Sequence, residues 1–246
     1  MRRQFILVGI LLTSLIGLTV WITSLGSIPG TVYVPRSTSM LLNCTVTHIE
    51  MVIIAELVGI AVGIPLGILV TRPRFKKLTT SIIGGANVGQ TIPSLALVAI
   101  MAPLLGFNFR AGVVALIIYG LLPIVRNSYA GINNIDPAIV EAARGMGMTE
   151  GEIARKIEIP LALPVIMAGI RVSTVITVGT AELAGFIGAG GLGYITLIGV
   201  QSRNALLILQ GAAPTAALAV ALGFILWLVE KAMIPWGQQQ AEVEMA

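Results

Sequence analysis

Residues 51–77 read MVIIAELVGIAVGIPLGILVTRPRFKK: twenty residues from Met51 to Val70 carry one charge, Glu56, and Arg72, Arg74, Lys76 and Lys77 follow at once. At ~1.5 Å per residue, twenty helical residues cover the ~30 Å hydrocarbon core of a bilayer. An apolar block of that length closed by a cationic cluster reads as a membrane span whose basic end stays in the cytoplasm.

The rest of the chain is built the same way. Of 246 residues, 56% are hydrophobic and 11% charged, with a mean hydropathy of +0.96. That is too apolar for a soluble enzyme or a disordered chain. The single cysteine, Cys44, forms no internal disulfide, and with the single histidine, His48, it offers no zinc-binding cluster. The net charge of +4 would suit nucleic acid, but the basic residues lie between apolar blocks, where a membrane explains them better.

Six spans follow, giving an all-helical polytopic membrane protein. Phe5–Leu25 is uncharged and preceded by Arg2 and Arg3; it is longer than a signal-peptide core and no small-x-small cleavage site follows, so it reads as an uncleaved first span. Met51–Val70 is the second. The third is placed at about Ile82–Leu105, with Pro93 kinking it; the fourth at about Ala111–Val125, the fifth at Leu161–Ala184 and the sixth at Ala205–Val229. This arrangement leaves Arg2, Arg3, Arg72, Arg74, Lys76, Lys77, Arg126, Arg144, Arg155, Lys156 and Lys231 on one side, against Arg36, Arg110 and Arg203 on the other. Both termini are therefore expected in the cytoplasm, with Trp21 and Trp227 near span ends.

Two connections are long: an outer loop at about 26–50 and an inner segment at 127–160. The inner one carries its own helix signals. Asp136-Pro137 reads as an N-cap followed by proline at the first helical position, and the helix should stop at Gly145-Met146-Gly147. Thr149 and Glu152 form a capping box that opens a second helix, expected to end before Pro160, with Ile153 and Ile157 four residues apart on it. Two such helices could be a docking handle for a partner or an amphipathic connector lying on lipid.

Three ionisable residues fall inside spans: Glu56, Arg171 and Glu182. Each costs roughly 2.5–3.5 kcal/mol to insert and should face protein or water. Gly59, Gly63 and Gly67 follow Glu56 at offsets that keep one helical face, a seam for close helix packing. Glu56 and Glu182 are candidates for an outward vestibule favouring a cationic solute, or else are tied between helices. Arg171 is a weaker pathway candidate, expected to bind carbonyls or a carboxylate in the bundle.

Catalytic and metal-binding residues are not expected. No G-x-x-x-x-G-K-[ST] occurs, so the chain is not itself an ATPase. Gly188–Gly193 matches G-x-G-x-x-G but follows a span rather than a strand, and reads as a tight turn.

Glu141-Ala142-Ala143, then Gly147, then Ile157-Glu158-Ile159-Pro160 resembles the EAA loop of permease subunits of ATP-binding cassette (ABC) importers, with Ile159 in place of the usual leucine. Further stretches, among them residues 63–67, 90–96, 122–127, 143–148 and 186–193, are similar to the osmoprotectant group of those permeases, which serves glycine betaine, choline and carnitine. The resemblance implies the type I (MetI-like) importer permease fold. It divides the chain into a first span and outer loop (1–50), a permease core (51–234) with a coupling loop at 127–160, and a cytoplasmic tail (235–246). It also implies that Glu141, Ala142, Ala143, Gly147, Ile157 and Pro160 couple the spans to ATPase subunits, which hold the ATP and Mg. An extracytoplasmic substrate-binding protein and a second permease copy or paralogue are the other implied partners, in a bacterial or archaeal plasma membrane. The chain is only 5% aromatic, too few for a cation-π cage in a span, so solute recognition is expected mostly on the binding protein. A permease for an amino acid or sulfonate, an ATP-independent transporter or channel, and a membrane-anchored scaffold are the rival readings.

Overall fold

A computed structural model describes residues 38–234, together with Gly9, Thr13 and Gly17. The expected first span, with Arg2, Arg3, Trp21 and Arg36, lies outside the described residues apart from those three positions, and so does the tail from 235 onward. Every regular element among the described residues is helical. In chain order these are α1 (Thr38–Leu69), a 3-10 turn (Pro73–Phe75), α2 (Lys76–Gly89), α3 (Ser94–Leu105), α4 (Phe109–Asn133), α5 (Pro137–Gly145) and α6 (Glu150–Ile153). They continue with a π turn (Ala154–Glu158), α7 (Ile159–Ala184), a 3-10 turn (Gly185–Ile187), α8 (Leu192–Gln201) and α9 (Ala205–Met233).

Four helices among the described residues are long and apolar enough to cross a bilayer, and a fifth crossing is reached if α2 and α3 count as one bent span. Each of the four, α1, α4, α7 and α9, carries a proline in its interior, Pro65, Pro123, Pro164 and Pro214 respectively. Neighbouring helices in a membrane can satisfy the carbonyls that proline frees.

Several expected boundaries move. The second span begins at Thr38 rather than Met51, so much of the expected outer loop is helix. The third span is broken rather than kinked: α2 ends at Gly89 and α3 begins at Ser94, with Pro93 as the N-cap of α3. Proline disfavours a helical residue before it and supplies no N–H, so it starts a helix more readily than it continues one. The fourth span runs on to Asn133, and the sixth to Met233. The second helix of the inner segment does not end before Pro160; it passes through the π turn directly into α7.

The chain forms two compact units: residues 38–57, Ile92–Gly120 and Thr174–Phe224 make the first, and Val58–Thr91, Leu121–Ser173 and residues 225–234 the second. The first has a core of small and medium side chains, including Met51, Val98, Ala111, Leu116, Val178 and Ala181. In the second, Ile132, Ala162, Ile166 and Ile170 pack with Ile60, Ile64 and Ile68.

The glycine row of α1 does what its spacing implies. A Cβ on Gly63 would lie 2.8 Å from Ile124 Cγ2, and one on Gly67 2.5 Å from Ser128 Cβ and 2.7 Å from the Val125 carbonyl oxygen. α1 and α4 therefore meet backbone to backbone, the approach that small residues permit between membrane helices. Glu56, one turn before Gly59, is buried within the first unit.

Candidate functional site

The inner segment folds as two capped elements, all within the second unit. Asp136 Oδ1 accepts from the Ala138 N–H at 2.9 Å, with Pro137 opening α5. At the other end the Gly147 N–H donates to the Arg144 carbonyl at 2.9 Å and the Met148 N–H to the Ala143 carbonyl at 3.2 Å. This pair of bonds is a Schellman closure, and it requires a left-handed residue; Gly147 supplies it with φ of 83°. Thr149 then caps α6: its Oγ1 accepts from the Glu152 N–H at 3.3 Å, while Glu152 Oε2 accepts from the Thr149 N–H at 3.1 Å. Both caps and the turn stand where the sequence places them.

One ion pair ties the two elements and a second braces the latter of them. Arg144 Nε donates to Glu150 Oε1 at 2.7 Å across the turn, and Lys156 Nζ to Glu152 Oε1 at 2.9 Å along the helix. Arg144 holds the Glu150 carboxyl below its usual range, and Lys156, aided by Thr149, brings that of Glu152 down to about 2. These groups are exposed, so they set orientation more than stability.

The residues assigned to coupling divide by environment. Ala143 is buried at 1% exposure, Ile157 is half-buried, and Glu141, Ala142, Gly147 and Pro160 are exposed. Nothing lies within 4 Å of the place a Gly147 Cβ would take. Ile139 and Met146 are also exposed; with Ala142 between them they form an apolar stripe at helical spacing beside Glu141. The segment is thus polar, capped at Asp136 and Thr149, and carries one exposed apolar stripe. Beside it lies a cleft of about 730 Å³ whose lining includes Arg72, Asn133, Glu141, Arg144 and Glu158.

One contact in that cleft escapes the sequence reading: Arg72 grips Glu158 with two hydrogen bonds. The partners lie eighty-six residues apart, beyond the reach of any local pattern.

The three in-span ionisable residues lie in separate surroundings. Arg171 Nη1 lies 2.9 Å from Glu230 Oε2 in the second unit, the carboxylate partner expected for it. Glu182, in the first unit, accepts hydrogen bonds from the hydroxyls of Thr196 on α8 and Thr215 on α9. Glu56 is buried in the same unit. His48 is fully buried, with Nε2 donating to the Val178 carbonyl at 3.2 Å. The turn at Gly188–Gly191 is tight as expected, with positive φ at Gly188, Gly190 and Gly191.

The long apolar helices are thus joined, at 134–158, by a capped segment that exposes an apolar stripe. Residues 63–235 match the family described as binding-protein-dependent transport system inner membrane component. The chain belongs to that family, and is a multi-pass transport subunit. It is 44% identical over 200 residues to the choline transport system permease protein OpuBB of Bacillus subtilis, covering 81% of this chain and 91% of that one. It is 44% identical over 199 residues to the glycine betaine/carnitine/choline permease protein OpuCB of the same organism, with the same coverages. Against the osmoprotectant import permease protein OsmW of Salmonella typhimurium it is 37% identical over 210 residues, covering 83% and 97%. Among solved structures, the inward-facing MetNI methionine ABC transporter matches with TM-score 0.71 at 23% identity, over 82% of this chain and all of that one. An amino acid ABC transporter matches with TM-score 0.65 at 22% identity, over 79% and 94%. The fold is thus that of type I ABC importer permeases.

Proposed function

We propose that the chain is the membrane-spanning subunit of an ATP-driven importer for quaternary ammonium osmoprotectants such as glycine betaine, choline and carnitine. The observation that carries the mechanism is the segment 137–160, capped at Asp136 and Thr149 and turned at Gly147, which offers Glu141, Ala142 and the apolar stripe to a partner. The substrate class rests on relatives that match four-fifths of the chain and are named for those solutes.

In this reading ATPase subunits hold ATP and Mg and seat the segment through Glu141, Ala142, Ala143, Gly147, Ile157 and Pro160. Closure of the ATPases moves the segment and with it α4 and α7, to which it is continuous. An extracytoplasmic binding protein delivers the solute to this permease and a second one, identical or paralogous. The segment and both termini face the cytoplasm, as the distribution of lysine and arginine favours.

The test is uptake of labelled glycine betaine by vesicles holding the chain with its co-purified ATPase and binding protein. Excess choline or carnitine is expected to compete, and methionine or a sulfonate is not. Competition by the latter alone would move the chain to the amino acid or sulfonate importers.

Glu56, Glu182 and Arg171 have two roles open to them, the solute route or the tying of helices. The ion pair at Arg171 and the paired hydroxyls at Glu182 favour tying. Glu182→Gln keeps an acceptor for one hydroxyl and is expected to leave uptake within about twofold of wild type, with solute preference unchanged. A loss of preference for quaternary ammonium solutes in that variant would place Glu182 on the route.

A further inference from the structure

The π turn at Ala154–Glu158 has a local cause and a distant effect. The Ile159 N–H donates to the Ala154 carbonyl five residues back. Pro160 has no N–H, and its ring crowds the carbonyl four residues before it, which weakens the regular ladder at this point. Widening the helix by one residue relieves the conflict.

The effect is rotational. In a regular helix Glu158 would stand about 140° round the axis from Ile153, five residues earlier. The residue absorbed by the wider turn takes most of that rotation back. Buried positions accordingly run Ile153, Glu158, Ala162, Ile166 and Ile170, one step of five followed by steps of four. A carboxylate is thereby placed on the buried face of α7, with its side chain only 9% exposed.

Arg72 meets it there. Nη1 donates to Oε1 at 3.1 Å and Nη2 to Oε2 at 2.5 Å, the planar fork-to-fork geometry that arginine alone provides. Arg72 sits on a braced turn. Its N–H donates to the Leu69 carbonyl at 3.1 Å, the Phe75 N–H donates to its carbonyl at 2.9 Å, and the Thr79 hydroxyl donates to the Val70 carbonyl at 2.6 Å. The pair therefore joins two fixed backbones, the end of α1 and the root of α7.

We infer that Arg72 and Glu158 are positioning residues for energy coupling, their bidentate pair making the end of α1 follow displacement of the 137–160 segment. This rests on the importer reading above. A buried ion pair adds little net stability over an apolar pair of similar size. What it adds is a fixed geometry between two elements, and here one element carries the partner-facing segment.

The test compares complexes carrying Glu158→Gln, Arg72→Lys, and the exchanged pair Arg72→Glu with Glu158→Arg, each reconstituted with unaltered ATPase and binding protein. Solute taken up per ATP hydrolysed is measured in each. Glutamine keeps the size of the side chain without its charge, and lysine keeps the charge without the fork. Both single variants are expected to assemble and hydrolyse ATP but to move at least about fivefold less solute per ATP, while the exchanged pair returns to within about twofold of wild type. An unchanged ratio in both single variants overturns the role of the pair and leaves the importer reading standing. If a single variant fails to assemble, the exchanged pair decides: a wild-type ratio supports the inference and a reduced one overturns it. Absence of ATP-driven uptake by the wild-type complex overturns the importer reading, and the inference with it.

Discussion

Gly193→Ala is expected to abolish accumulation of folded protein in the membrane. A Cβ at that position would lie 1.7 Å from the Glu182 carbonyl oxygen and 2.6 Å from its carbon, both backbone atoms. No rotamer change relieves an overlap with backbone, so the cost exceeds the roughly 1–3 kcal/mol of ordinary overpacking. The close approach is reciprocal, since a Cβ on Gly185 would lie 2.3 Å from the Gly193 carbonyl carbon. Together they let the end of α7 and the start of α8 touch, which brings Thr196 to the Glu182 carboxylate. Gly179→Ala is the control: on α7, one turn before Glu182, nothing lies within 4 Å of its Cβ position. Monodisperse protein recovered in detergent, and its Tm, should be unchanged or raised for Gly179→Ala and lost for Gly193→Ala. A Gly193→Ala protein with wild-type yield and Tm would show that this contact is not held in the membrane.

Gly147→Val is expected to reduce ATP-driven uptake at least about tenfold, because the left-handed region costs an L-residue about 1–2 kcal/mol, and a β-branched one more. The strained turn would reopen the Schellman closure and release Met148 and Thr149 from their places. Gly147→Asn is expected to retain uptake within about threefold, since asparagine visits that region readily and the Cβ position is open. Equal loss in both variants would mean that the position serves close approach of the ATPase, and that the conformational account of the glycine is wrong.

The parts of this fold that the sequence discloses are those set by local chemistry. Asp136-Pro137 and Thr149-x-x-Glu152 are caps because of what the side chains can accept from nearby N–H groups, and Gly147 marks a turn because of its φ. The long charge-poor blocks disclose α1, α4, α7 and α9 for the same reason: the bilayer tests composition residue by residue. The extent of α1 is hidden because residues 38–50 carry His48, Glu50 and several hydroxyls, a composition suited to an aqueous loop. The structure satisfies part of it internally, with His48 on the Val178 carbonyl and the Thr45 hydroxyl on Leu41. The break at Pro93 differs from a kink only in geometry. Ile153 and Ile157, read as partners at helical spacing, end in different environments because the π turn intervenes. Glu182 finds its hydroxyls fourteen and thirty-three residues away, and Arg72 finds Glu158 eighty-six away. No periodicity reaches that far.

The central claim is that a partner's ATP hydrolysis moves solute through this chain by way of residues 137–160. Its most direct measurement is uptake of labelled glycine betaine into sealed vesicles containing the wild-type complex, with ATP or a non-hydrolysable analogue on the ATPase side. Uptake that requires both hydrolysis and the binding protein, and that falls in Gly147→Val while the ATPase remains bound, is the predicted result. Uptake of equal size with the analogue, or from a preparation free of any ATPase, would contradict the account.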